Sequence, residues 1–438
     1  MEPIVVGVVG IVFLLILLVF GVHVGIALLA VGIAGMLLMG VRSVVEYVGS
    51  SVFYFTWVYE FTALPLFILM SAFAFRAGIA GKAYSALYKW VHKLPGSLAI
   101  ATTFGCAAFG AVSGSSMATS AVFGRVSLPE MTRHRYAKSL SLGCVAAAGT
   151  FACMIPPSAL FIIYSIFTET SVGRLFAAGI IPGLSTAVVY AASIVIRVKR
   201  SPALAPVPVG GEAFSWSQRV ISLKGLWPVA MLALVVLGGI FQGVFTVTEG
   251  AAIGCIGALL FAIWEQGLRK FDLTGSLRET GHTTAMVFLV IIGALFFARF
   301  IAISQIPVHL SEYLAALAVP KEVIIVGIFA MYFLLGMLIV PSGMMAITLP
   351  VVFPIILGLG YDPIWFGVII MKASEIAAVT PPVGLNVYVL KGVVGREATL
   401  EEIFAGIWPF VVCDLIVLGF LIAFPQISLF LPNLLIGG

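Results

Sequence analysis

GAVSGSSMATSAVFGRVSLPEM, residues 110–131, is an apolar stretch interrupted by Ser113-Gly114-Ser115-Ser116. Downstream, a second apolar run is cut by Ile155-Pro156-Pro157-Ser158. The same pair of breaks returns in the second half as Pro341-Ser342-Gly343 and Thr380-Pro381-Pro382-Val383-Gly384. Backbone freed from a helix at membrane depth survives only when buried in protein or lining a cavity. Matched breaks in two halves of a membrane chain point to a transport site near the bilayer midplane. Any one of these Pro or Gly residues, taken alone, reads as a packing kink. Their matched placement is what carries the functional reading.

The surrounding composition requires a membrane. The chain has 438 residues, 62% hydrophobic and 9% charged, against about 25% charged for a soluble domain. The apolar runs are continuous rather than alternating, which excludes a transmembrane β-barrel. The expected class is therefore an all-α polytopic membrane protein. No basic stretch is interleaved with aromatics, so nucleic acid is not an expected partner. The five cysteines stand in apolar segments without a C-x-x-C spacing and read as small buried hydrophobes. The N-terminus lacks the basic region and cleavage site of a signal peptide and reads as a retained first helix.

A spanning helix needs about 20 apolar residues. Spans are expected near 3–20, 24–40, 61–78, 139–168, 173–196, 225–245, 247–266, 281–303, 363–394 and 403–425. The stretches 97–129 and 322–357 each carry a central turn and read as re-entrant hairpins. With the N-terminus extracytoplasmic, this arrangement puts 18 of the 23 Lys and Arg residues on the cytoplasmic side, as the positive-inside rule demands. Each half then has five crossings and one hairpin, an odd number, so the second half is an inverted repeat of the first. The expected division is scaffold 1–96, transport domain 97–200, cytoplasmic linker 201–224, scaffold 225–320, transport domain 321–425 and C-terminal tail 426–438. The linker carries Pro202, Pro206, Pro208, Gly210 and Gly211. Amphipathic connectors at 82–93 and 307–320 are the expected arms.

The breaks have a chemistry. Proline lacks an N–H and frees the carbonyl four residues back. Pro156 and Pro157 free those of Ala152 and Cys153, and Pro381 and Pro382 those of Ala377 and Ala378. A dehydrated hard cation takes oxygen ligands, and unwound carbonyls and helix C-termini supply them. The outgoing half-helices, starting near Ser115 and Met344, turn positive ends toward an anion. Ser115, Ser116 and Thr119 offer hydroxyls there, while Met344 and Met345 make the second tip more apolar. Among the intramembrane charges, Lys372 and Glu375 stand at i, i+3 and can pair. Lys372, about 12 Å along the helix from the break, reads as an ion pair or a snorkelling chain, with substrate or gating contact as the alternative. Arg299 reads as snorkelling from the outer end of its span or gripping a carboxylate. Asp414 reads as a residue that caps or pairs inside the last span.

These motifs, with LPVVFPIILGLGYDPIWFG (349–367) and SEIAAVTPPVGLNVYV (374–389), resemble the large membrane subunit of the tripartite ATP-independent periplasmic (TRAP) transporters, DctM-like, over essentially the whole chain. The resemblance implies a sodium-coupled secondary importer of organic acids, such as C4-dicarboxylates or sugar acids, moving as an elevator in a bacterial or archaeal inner membrane. It implies a small four-helix membrane subunit and an extracytoplasmic binding protein as partners, and sodium as coupling ion with no other cofactor. Carried over, Ser113, Gly114, Ser115, Ala152, Ile155 and Ser158 form one sodium site. Ser342, Gly343, Ala377, Thr380 and Val383 form the other. Ser116, Thr119, Met344, Met345 and Asn386 are the substrate candidates. One departure stands out: many relatives carry Asp where this chain has Val340. The competing readings are a sodium/carboxylate elevator symporter needing no binding protein, and an intramembrane hydrolase using Ser113 or Ser115. The hydrolase lacks a base, because all five histidines fall at span ends or in connectors.

Overall fold

Prolines, glycines and capping side chains end the helices close to where the sequence breaks its apolar runs. A computed structural model of the chain describes residues 2–44, 46, 49, 50, 53, 58–206, 214–316 and 319–437; among these the regular structure is helical, with no strand. In chain order the helices are α1 (Pro3–Val19), α2 (Val24–Leu38), α3 (Ala63–Arg76), α4 (Ile79–Val91), α5 (Ser97–Ser113), α6 (Ser116–Arg133) and α7 (Lys138–Phe151). They continue with α8 (Ala159–Thr168), α9 (Val172–Arg200), α10 (Trp216–Ser222), α11 (Trp227–Phe241), α12 (Val247–Gln266), α13 (Leu273–Ile303) and α14 (Ile306–Ala316). The last are α15 (Lys321–Gly336), α16 (Pro341–Gly358), α17 (Pro363–Ala377), α18 (Leu385–Val394), α19 (Leu400–Ala423) and α20 (Gln426–Leu435). Pro208, Gly210 and Gly211 of the linker, and residues 317 and 318 of the second connector, lie outside the described residues.

The caps explain the starts. Thr246 and Glu249 form a capping box at α12, and Thr399 and Glu402 form another at α19, each satisfying backbone N–H groups that a helix start leaves bare. Asp362 accepts from Ile364 N at 2.7 Å and Trp365 N at 3.2 Å, with Pro363 at the first helical position of α17.

Among the described residues, α9, α12, α13, α16 and α19 are each long and apolar enough to cross a bilayer. The pair α3 and α4 passes the same test together but bends by 65° at its break, so the connector expected at 82–93 turns away from its span. Both expected hairpins fold back on themselves. Phe109 and Phe123, on opposite sides of the first turn, pack edge-to-face at 6.2 Å. Across the second turn, Thr348 Oγ1 donates to Tyr332 OH at 2.7 Å. The tail at 426–438 contains α20, which packs on α9 and is tied there by Arg174 Nη2 donating to Asn433 Oδ1 at 3.0 Å.

Small residues set the close crossings, as in membrane bundles generally. Gly25 and Gly32 of α2 lie against the backbone of α13 at Leu289 and Phe296, and Gly143 of α7 lies against the backbone of Gly406 on α19. α2 packs on α13 and α3 packs on α12. The C-terminal ends of α3 and α12 and the start of α13 are clamped by charge. Arg76 reaches Asp272 at 2.9 Å and Glu279 at 3.2 Å, Lys82 pairs with Glu265, and Gln266 donates to the Arg76 carbonyl.

Candidate functional site

Gly114 takes φ +59°, a left-handed conformation that ends α5 without the penalty a side chain would bring. A Cβ on it would sit 2.4 Å from the Pro157 carbonyl oxygen. The first hairpin tip therefore touches the first proline break backbone to backbone. Similarly, a Cβ on Gly110 would meet the Ala152 carbonyl oxygen at 2.5 Å. The next residue, Ser115, caps α6 by accepting from Ala118 N at 3.3 Å. Thr119 Oγ1 donates to the Ser115 carbonyl at 2.8 Å and lies 3.4 Å from Ser113 Oγ, knitting the hydroxyl-rich tip together.

One cavity of about 200 Å³ joins both tips to α3 and α13. Ser113, Gly114, Ser115 and Ser116 line it from the first tip, and Val340, Pro341 and Ser342 from the second. Cys153 and Pro157 enter from the first break; Phe67 and Ser71 of α3 and Glu279, Thr283 and Val287 of α13 close the other wall. Ser71 Oγ donates to Ser113 Oγ at 3.3 Å, so that α3 holds the tip. The α13 contributors recur every four residues, one face of that helix. This wall escaped the sequence analysis, whose signal lay in the breaks and not in the regular helix facing them.

The other candidates stand behind the cavity. Residues 152–158 are buried throughout, whereas Pro381, Pro382 and Val383 of the second break are partly or fully exposed. Ser158 Oγ is buried and has no hydrogen-bond partner among the described residues, and the same holds for Ser120 Oγ and both amide atoms of Asn386. Buried polar groups without a partner are uncommon in folded proteins. The carbonyls of the second break are partly engaged: Ala377 O accepts from Thr380 N at 3.2 Å and Ala378 O from Asn386 N at 3.1 Å. Each keeps a second lone pair. Thr380 Oγ1 donates to the Ile376 carbonyl at 2.6 Å. Met344 and Met345 are buried in the core and do not line the cavity; nor do Ile155, Gly343, Ala377, Thr119 or Asn386. The oxygens of the first tip and first break themselves are hydroxyls and carbonyls, a donor set that suits a hard monovalent cation, with Glu375 Oε1 3.8 Å from Cys153 Sγ behind them.

Comparison with known proteins places this architecture. Residues 11–427 match the family model described as the tripartite ATP-independent periplasmic transporter, DctM component. The chain belongs to that family. The C4-dicarboxylate TRAP transporter large permease protein DctM of Pseudomonas aeruginosa is 34% identical over 86% of both chains. The ectoine TRAP transporter large permease protein TeaC of Halomonas elongata is 32% identical over 85% of this chain and 86% of its own. Among solved structures, the Alcanivorax borkumensis YdaH transporter superposes with a TM-score of 0.66 at 15% identity, covering 94% of this chain and 98% of that one; the likeness is one of fold. The chain is thus a multi-pass TRAP large permease, a transporter subunit and not an enzyme.

Within this permease the intramembrane charges take positions that sequence reading only half found. Lys372 and Glu375 do pair, at 3.1 Å. Lys372 does not snorkel: it is fully buried and donates also to Asp414 Oδ1 at 2.6 Å and Thr186 Oγ1 at 3.0 Å. Three donors and three acceptors leave its ammonium nothing to offer a substrate in this conformation. Asp414, buried on α19, also accepts from Tyr190 OH at 2.6 Å. An acid inside an otherwise apolar run was the available signal, but its partner lies 42 residues away in sequence. Arg299 is exposed on α13, away from the cavity.

Proposed function

We propose that the chain is the large membrane subunit of a sodium-coupled importer that receives a small organic acid from an extracytoplasmic binding protein, working beside a small four-helix membrane subunit. The observation that carries the reading is the cavity shared by both hairpin tips and walled by α3 and α13. A site built from two matched breaks and facing a separate helical wall suits transport by an elevator motion. The hairpins and broken helices (97–200 and 321–425) carry the substrate past the outer helices (1–96 and 225–320). Sodium binds at the breaks, at Ser113, Ala152 and Ser158 in the first half and Ala377 and Thr380 in the second. Ser116 and Ser342 face the substrate. The N-terminus lies outside the inner membrane, which leaves the Lys- and Arg-rich loops in the cytoplasm.

The test is uptake in proteoliposomes holding this subunit with the small subunit and binding protein from its genomic neighbourhood. Accumulation of an organic acid should require the binding protein and an inward sodium gradient. Uptake without the binding protein would favour the symporter reading, and uptake driven equally by potassium would end the sodium reading.

A further inference from the structure

The buried charges form a continuous chain between the two breaks. Cys153 lies in the unwound first break, its Sγ 3.0 Å from the Thr150 carbonyl oxygen and 3.8 Å from Glu375 Oε1. Glu375 sits on α17 just before the second break, and its Oε2 accepts from Lys372 Nζ at 3.1 Å. From Lys372 the chain passes to Asp414 and on to Tyr190, on the last spans of the two halves.

Charges survive in such a place only when paired. The pair of Lys372 and Asp414 is already complete, one charge of each sign. Glu375 adds a second carboxylate that this pair does not need, at 2% exposure. Its location is informative: one oxygen belongs to the ammonium, and the other faces the first break. A thiol has one proton, so Cys153 serves the Thr150 carbonyl, Met371 Sδ at 4.0 Å or Glu375, one at a given moment. Any rearrangement of residues 150–155 therefore changes how Glu375 is satisfied, and with it the helix that leads into Ala377. Every member of the chain is buried.

We propose that Glu375 is a positioning residue that joins the two breaks, through Cys153 on one side and Lys372 on the other, so that a change at one is felt at the other. It touches neither the coupling ion nor the substrate. Its consequence for transport, cooperative loading of the two breaks, rests on the sodium-coupled reading above; the joint itself does not.

Hydrogen exchange of the purified full-length subunit, read at each break, tests the joint without any ion. Glu375→Gln should speed exchange at residues 152–155 in the opposite half, and Cys153→Ala should speed it at 377–380. The expected size is about fivefold, the weight of one hydrogen bond. Cys153→Ser, which keeps a donor, should restore the rate at 377–380. A role confined to local packing would leave the remote break untouched, and unchanged remote exchange in the variants would overturn the proposal. Should Glu375→Gln fail to fold, the Ala and Ser variants of Cys153 read the same link from its other end. A sodium arm separates the two readings. If sodium protects neither break in the parent protein, ion coupling falls, while the remote response still decides the joint.

Discussion

Lys372 and Asp414 form an ion pair at 2.6 Å with both side chains fully shielded, inside a chain that is only 9% charged. Glu375 shares the same ammonium at 3.1 Å, so removing Lys372 strands two carboxylates in a low-dielectric interior, a loss of about 3–5 kcal/mol, whereas removing Asp414 leaves Lys372 paired with Glu375. Lys372→Met alone should therefore lower the melting temperature in detergent sharply, and Asp414→Leu alone should lower it less. Adding Asp414→Leu and Glu375→Gln to Lys372→Met should recover most of its loss. Additive melting shifts in the triple variant would show that the three charges do not act as a unit.

Ser71 and Ser113 offer a lock across the proposed sliding boundary, because their hydroxyl oxygens lie 3.3 Å apart. Cysteines at both positions should form a disulfide on mild oxidation, since side chains this close satisfy the reach of an S–S bond. If the hairpin moves against α3, oxidation should abolish uptake and reductant should restore it. Full uptake by the quantitatively crosslinked protein would rule out that movement.

Much of this was legible in the sequence. The helix breakers at 113–116, 155–158, 341–343 and 380–384 act locally, because a residue without an N–H or without a Cβ alters the chain wherever it stands. They placed the hairpins and the broken helices to within a few residues. The pairing of Lys372 with Glu375 was also local, at i, i+3. Long-range partners were not legible. Asp414, Thr186 and Tyr190 reach Lys372 only through the packing of α9, α17 and α19, and Ser71 meets Ser113 only because α3 is stacked on the tip. The burial of Met344 and Met345 follows from packing as well: residues near a hairpin tip face either the cavity or the core, and the apolar period alone does not say which.

Ser158 separates ion binding from folding more cleanly than other candidates. Its hydroxyl is buried with no hydrogen-bond partner among the described residues, so Ser158→Ala removes an unsatisfied group and should not lower stability in sodium-free buffer. If the hydroxyl is a sodium ligand, the parent protein gains stability from the ion by mass action and the variant gains less. Thermal melts across a sodium titration should show equal starting points and a reduced sodium-dependent rise for the variant. The same rise in both proteins would remove Ser158 from the ion site.

Gly114 is the position where one added methyl group should cost most. At φ +59° an L side chain meets a penalty of about 1–2 kcal/mol, and the new Cβ would lie 2.4 Å from the Pro157 carbonyl oxygen, a backbone atom that cannot swing aside as a side chain could. Gly114→Ala must therefore push the first hairpin tip away from the first break. The helices on either side are held by their own packing, Phe109 on Phe123 and α6 on α7, so the subunit should still fold and insert. Uptake should fall at least about tenfold, because a displacement of 1 Å at a positioned site has that order of effect or more. Gly110→Ala, facing the Ala152 carbonyl at 2.5 Å but with ordinary helical φ, isolates the contact from the backbone strain. If both variants insert at parent levels and Gly110→Ala transports normally while Gly114→Ala does not, the strain at the tip matters more than its contact with the break. Normal uptake by Gly114→Ala would mean that the tip and the break need not touch.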